Sequence, residues 1–376
     1  MSPTPLKSAI WASIAALLAL PATAQDAPGY ALPRMMQSDQ ISVPNAAEID
    51  AWARSGHANF RSRSFTNWND AGEIPPVCAT CHSGQGFRAL HRLDGGTGGM
   101  PDRPFPVGGV VDCATCHSPG LSEITEIALP NGQMHPVTGS QATCLTCHQG
   151  RQSGDAIARA TAEGDPDQPN PDLRFMNPHY AVAAATWLGG TGALGYHYDG
   201  KTYAGQFHHA PPVATCTDCH DPHRLTVATD GCTMCHSGET NPRAIRMSRA
   251  SHDGSGNLTQ GIHADIANNA DLLKSALHDY ARQVAGVPMI YDSGRHPYFF
   301  ADANDDGRVD LVDGTSVVYN AWTPRLLRGA YNWKFVTSDT GAHVHNPHYA
   351  LQLLYDSIQD LTTAMGGDFD ALNLSR

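Results

Sequence analysis

The clearest apolar periodicity in this 376-residue chain lies towards its end, where Ile262, Ile266, Leu273, Leu277, Tyr280 and Val284 recur on one broad helical face that Gly286 and Pro288 close. A second stripe, Ala350, Leu354, Ile358, Leu361 and Met365, follows Asn346-Pro347, a capping residue and a first-turn proline that open a final helix. Both stripes predict helices that turn one side to a core. Upstream the pattern breaks up. Gly- and Pro-rich loops such as Asp94-Gly-Gly-Thr-Gly-Gly99 separate short turns over 57–150, and Gly164-Asp-Pro-Asp-Gln-Pro-Asn-Pro171 has the composition of a linker. Asn177-Pro178 predicts an N-cap and first helical turn for an Ala-rich helix through Leu188. Asp199-Gly200, between tyrosine-bearing arms within Gly195–Tyr203, predicts a hairpin. The expected fold class is mostly α and loop-rich, with few short strands.

Residues 1–24 carry Lys7, an apolar stretch from Ala9 to Leu20, a Pro21 break and Ala22-Thr23-Ala24, the layout of a secretory signal peptide with maturation near Gln25. The expected destination is the periplasm or the outside of the cell. The apolar core of this leader is too short for a membrane-spanning helix, and no later stretch approaches the roughly 20 apolar residues that one requires. A net charge of −12 argues against a nucleic-acid partner, because no basic face is left for phosphate. Redox proteins with basic patches, or extracellular electron acceptors, suit that charge. Only 16% of residues are charged, and 36 Gly and 26 Pro add to the loop content.

All ten cysteines sit in five Cys-x-x-Cys-His pentapeptides: Cys78, Cys81 and His82; Cys113, Cys116 and His117; Cys144, Cys147 and His148; Cys216, Cys219 and His220; Cys232, Cys235 and His236. This is the attachment motif of haem c. Two thiols add to two vinyl groups on one porphyrin edge, and the next residue swings its imidazole beneath the iron. A zinc ribbon, a redox disulfide or a disulfide scaffold leaves the histidine after every pair unexplained. Five haems are expected, with His82, His117, His148, His220 and His236 as proximal ligands. The motifs divide the chain into a signal peptide (1–24), an N-terminal extension (25–56), a region with three motifs (57–160), a region with two (161–245) and a helical C-terminal region (246–376). Met100, Met134 and Met176 lie near motifs, where filling apolar gaps is the commoner role for methionine. Arg88, Arg151 and Arg224 follow motifs closely enough to pair with propionates, or else stand solvated.

The stretch from Ser55-Gly-His57 through Cys78-Ala-Thr-Cys-His82 resembles exported multihaem c-type cytochromes, including those that build extracellular electron-conducting filaments. So do Gly109-Val-Val-Asp-Cys113, Cys147-His-Gln-Gly-Arg151, Asn177-Pro-His-Tyr180, Cys219-His-Asp-Pro-His223 and the tail from Trp322 to Ser357. The resemblance implies bis-histidine haems stacked in a chain, with His57, His179, His209, His223 and His345 at the positions of distal ligands. His348 competes with His345, because Asn346-Pro-His-Tyr349 repeats Asn177-Pro-His-Tyr180, and His208 adjoins His209. His197 stands where the resembling sequences lead one to expect glutamate and reads as a surface aromatic. His91, His135, His252, His263, His278, His296 and His343 read as ordinary polar histidines.

Within 302–313, Asp302, Asn304, Asp306, Asp310 and Asp313 occupy positions 1, 3, 5, 9 and 12 of an EF-hand loop, with Gly307 at the turn and the Arg308 carbonyl at position 7. Calcium is the expected ion, in a structural role. Electron transfer leads among the functions, which favours a carrier over an enzyme without excluding one. A multihaem reductase of a small nitrogen or sulfur oxyanion, which needs an iron with an open face, is one alternative. A structural subunit of a cytochrome filament or other homo-oligomer is another.

Overall fold

The computed structural model describes residues 43–210 and 213–376, so the leader at 1–24 and residues 25–42 of the N-terminal extension lie outside the described residues. The first helices are short: α1 (Ala46–Ala53), α2 (Arg63–Thr66), α3 (Pro76–His82), α4 (Gly84–Leu90), α5 (Cys113–His117), α6 (Gly139–His148) and α7 (Gly154–Ala160). Then come α8 (Ala183–Gly192), α9 (Cys216–Cys219), α10 (Ile262–Gln283), α11 (Pro324–Thr337), α12 (Ala342–His345) and α13 (Pro347–Ala364). Strands occur only as two-stranded antiparallel pairs among the described residues: β1 (Glu73–Ile74) with β2 (Phe105–Pro106), β3 (Glu126–Ala128) with β4 (Met134–Pro136), β5 (His220–Asp221) with β6 (Thr226–Val227), β7 (Met289–Tyr291) with β8 (Phe299–Ala301), and β9 (Leu311–Val312) with β10 (Thr315–Ser316). The chain is helix-rich and loop-rich, as its sequence predicts.

Helices α10, α11 and α13 pack on one another, and both predicted stripes point inward: Leu273, Tyr280, Ala350, Leu354, Ile358 and Leu361 are all fully buried. A buried leucine contributes about 1.5–3 kcal/mol relative to an exposed one, so these faces dominate the stability of the region. The third helix, α11, shows no stripe because it is buried nearly all round, from Leu326 and Leu327 through Tyr331 to Phe335 and Val336. Its sequence signal is Thr323-Pro324, where the Thr323 hydroxyl accepts the Leu326 N–H at 3.1 Å. The same core takes in Ala142 and Leu145 of α6 and Ala185 and Leu188 of α8, so one apolar cluster runs from the motif region into the C-terminal helices. A smaller cluster of Ile74, Ala79 and Phe105 supports the first motif.

Three expectations change. Asn177 does not cap a helix: its side chain accepts the His179 N–H at 3.0 Å in a local turn. His179 (φ 102°) and Ala181 (φ 49°) then take left-handed conformations incompatible with a helix, which starts only at Ala183. The Asp199-Gly200 turn forms, with Lys201 N–H donating to the Tyr198 carbonyl at 3.2 Å, but no strands flank it. Its arms bond instead to the C-terminal helices: Tyr196 N–H to Asn332, 2.8 Å, and Ala204 N–H to Gln352, 2.7 Å. The linker-like segment is strapped down, because Asp167 accepts from Arg325 Nε at 2.7 Å and Asn170 N–H donates to the Trp322 carbonyl at 2.8 Å.

Candidate metal centre

Four of the five motifs begin on a short helix, where residues at i, i+3 and i+4 share one face, so both thiols and the imidazole project together. The caps are local. Asp112 accepts the Thr115 N–H at 2.9 Å to start α5; the Gln141 side chain returns to the Thr138 N–H at 3.2 Å before α6; Asp218 accepts the Thr215 N–H at 2.7 Å at α9. The last motif lies on a 3₁₀ turn over Asp230–Met234. All ten thiols are free. Thiols of different motifs lie close enough to shift each other's pKa, Cys81 with Cys147 and Cys144 with Cys216, so the third motif neighbours the first and the fourth.

Four of the five motif histidines face a second imidazole. The ring centroids of His82 and His179 are 5.9 Å apart, those of His117 and His223 6.0 Å, those of His236 and His209 6.2 Å, and those of His220 and His345 6.2 Å. The fifth motif histidine, His148, is close enough to His57 for its charge to lower the His57 pKa, second to burial. Two imidazoles trans on one metal, each with a metal–nitrogen bond of about 2.0 Å, have centroids roughly 6.3 Å apart once each half-ring is added. The four measured separations fit that arrangement, and the free thiols beside each pair fit covalent haem. Burial lowers the pKa of His82, His209 and His220, and takes His179 to about 4. A neutral ring is the form a metal binds.

No family model matches the chain, and no solved structure matches it. Two curated proteins of Geobacter sulfurreducens do: the C-type polyheme cytochrome OmcC, 25% identical over 92% of this chain and 52% of that protein, and the C-type polyheme cytochrome OmcB, 28% identical over 64% of this chain and 34% of that protein. The chain is homologous to C-type polyheme cytochromes. It spans about half the length of OmcC and about a third of OmcB.

Among its other histidines, the structure sets His345 and not His348 opposite His220: His348 is exposed in the first turn of α13, and His208 is exposed beside His209. His197 is not a surface aromatic. It stacks on Tyr203 with centroids 4.0 Å apart and shares a 2.9 Å hydrogen bond with the Tyr349 hydroxyl, and burial holds its pKa at about 4. Two of the arginines placed near propionates engage carboxylates of the chain, Arg88 with Asp112 at 2.6 Å and Arg224 with Asp221 at 2.7 Å. Met100 and Met134 are exposed instead of filling gaps, whereas Met176 packs against the core.

The acidic loop departs from a helix–loop–helix. It runs between β8 and β9, and Asp313 falls on the turn between β9 and β10. The buried Asp302 accepts the N–H groups of Asp306 (3.0 Å) and Gly307 (2.9 Å), and Asp310 accepts that of Ala303 at 2.8 Å. Among the described residues no three His, Cys, Asp or Glu side chains gather as a metal cluster.

The residue that sequence reasoning missed is Asp339. Both carboxylate oxygens lie within 2.9 Å of His345 Nδ1, and one also accepts the Gly341 N–H at 2.9 Å. Burial alone raises the Asp339 pKa; the bond and charge of His345, the Gly341 N–H and Thr186 more than offset it, leaving the carboxyl below its ordinary range. A lone aspartate in a turn has no motif, so nothing in the sequence marks it.

Proposed function

We propose that this chain is an exported electron carrier with five covalently bound haems, each iron held between two histidines. Homology to C-type polyheme cytochromes implies multihaem c-type electron transfer, and the finer reading rests on one observation above all: four of the five motif histidines have a second imidazole opposite them, and the fifth, His148, lies within charge range of His57. The thiols of each motif would hold the porphyrin edge, and the ligand pairs would be His82 with His179, His117 with His223, His148 with His57, His220 with His345, and His236 with His209. When bound, haem c supplies one-electron transfer at iron, tuned by axial ligands, hydrogen bonds and burial. The chain's own part is to fix ligand and spacing and to keep the rings neutral. Closed pairs favour a carrier over the oxyanion reductase, which needs an exchangeable position. The leader directs export to the periplasm or beyond, no helix among the described residues is long and apolar enough to cross a membrane, and the net charge of −12 suits partners with basic patches.

Intact-mass measurement of the matured protein should show five haem additions, and the reduced wild type should bind no carbon monoxide. Replacing His57, His179, His209, His223 or His345 with alanine should each time make one haem high-spin and ligand-binding. A wild type that already binds carbon monoxide at one haem would favour the reductase. The oxygen-rich pattern of 302–313 also supports a structural calcium ion, for which chelation should lower the melting temperature; identical melting with calcium and with chelator would reject it.

A further inference from the structure

We propose that Asp339 is a positioning residue that gives His345 anionic character as a ligand, making the haem between His220 and His345 harder to reduce than a neutral acceptor would. This rests on the reading above that His345 closes that iron. Asp339 lies in the turn between α11 and α12, with its side chain 3% exposed. A buried carboxylate is costly unless its oxygens are satisfied, and here they are spent on the His345 ring and the Gly341 N–H. Its hold on Nδ1, at 2.8 Å from one oxygen and 2.9 Å from the other, leaves Nε2 as the nitrogen for a metal.

The ring is fixed from a second side. A Cβ on Gly341 would stand 2.6 Å from His345 Cε1 and 3.0 Å from Nδ1, so the imidazole lies across a backbone that only glycine leaves clear. Among the described residues His345 is the only histidine with a carboxylate in ion-pair range. The comparison within the molecule is His148, whose Nδ1 meets the Ala181 carbonyl oxygen at 2.8 Å, a neutral acceptor. A charged acceptor draws the Nδ1 proton away from the ring and raises its basicity, and a more basic ligand stabilises the ferric over the ferrous state.

The experiment uses the fully loaded protein. His345→Ala should first turn one haem high-spin; if it does not, the ligation reading fails whatever Asp339 does. Asp339→Asn keeps an acceptor oxygen and removes the charge. All five haems should stay low-spin, one of the five components in a spectroelectrochemical titration should move to higher potential, and the others should stay in place. An unchanged titration, or a new high-spin haem with no shifted low-spin component, overturns the proposal. Should the variant not accumulate, the wild type carries the test: one haem should show its near-infrared charge-transfer band at shorter wavelength than the rest, and a single common band overturns the proposal.

Discussion

His197 and His179 both have pKa values near 4, with burial the largest cause, yet one leans on two tyrosines and the other faces His82. His91 and His343 are held near 4 in the same way. For His197 the folded state keeps the ring neutral down to about 4, while the unfolded chain takes up its proton near 6.5. Acid therefore favours the unfolded chain across that window, by up to about 1.4 kcal/mol per pH unit for His197, and His197→Gln should flatten the stability profile there in denaturant titrations. The ring planes carry a second prediction. His82 and His179 cross at 83° and His209 and His236 at 75°, whereas His117 and His223 lie within 9° of parallel. Crossed imidazoles leave the two iron dπ orbitals close in energy and parallel ones split them. The ferric protein should thus give both broad large-g signals and a rhombic low-spin signal in electron paramagnetic resonance; a single signal type would contradict the ring geometry.

Asn-Pro-His-Tyr occurs twice and folds two ways. At Asn346 it is a true cap: the side chain accepts the Tyr349 N–H at 3.2 Å, its amide donates to the Gly205 carbonyl at 2.9 Å, and α13 follows. At Asn177 it is a tight turn that delivers His179 to His82. Asn346→Ala should cost about 1 kcal/mol or more, read as a lower melting temperature with all haems still low-spin. The contrast also marks how far elements are legible. Helices α10 and α13 were readable because each has one wet face, and α11 was not because it has none. The start of α8 was misplaced because the capping signature is the same four residues in either fold, and only the backbone sign at His179 separates them. The hairpin failed for a related reason: its arms found better partners in Asn332 and Gln352 than in each other.

Across the whole molecule the motif region and the C-terminal helices share one core, with Leu145 and Leu188 in the same cluster as Leu277, Tyr331 and Leu354. A chain ended after residue 245 would expose that surface and lack His345, so it should aggregate or be degraded, and any loaded remainder should carry a high-spin haem; a stable, fully low-spin fragment would show that the helices are dispensable. The motif cysteines and histidines were plain in the sequence, and resemblance singled out the four histidines that face them, with His57 as a fifth candidate. Which ring meets which was not legible, because His82 with His179 and His220 with His345 are joined only by the path of the chain in space. That path bears on the order of assembly. Haem attachment needs only a local pentapeptide and can begin on an unfolded chain, whereas bringing His345 to His220 closes a loop that includes the whole of α10 and α11. Long loops cost little extra free energy to close, but contacts so distant in sequence form slowly. On the proposed ligation, a newly made chain would pass through a state in which the iron at the fourth motif has one face open, vulnerable to small ligands and to oxygen, until the tail arrives to cover it.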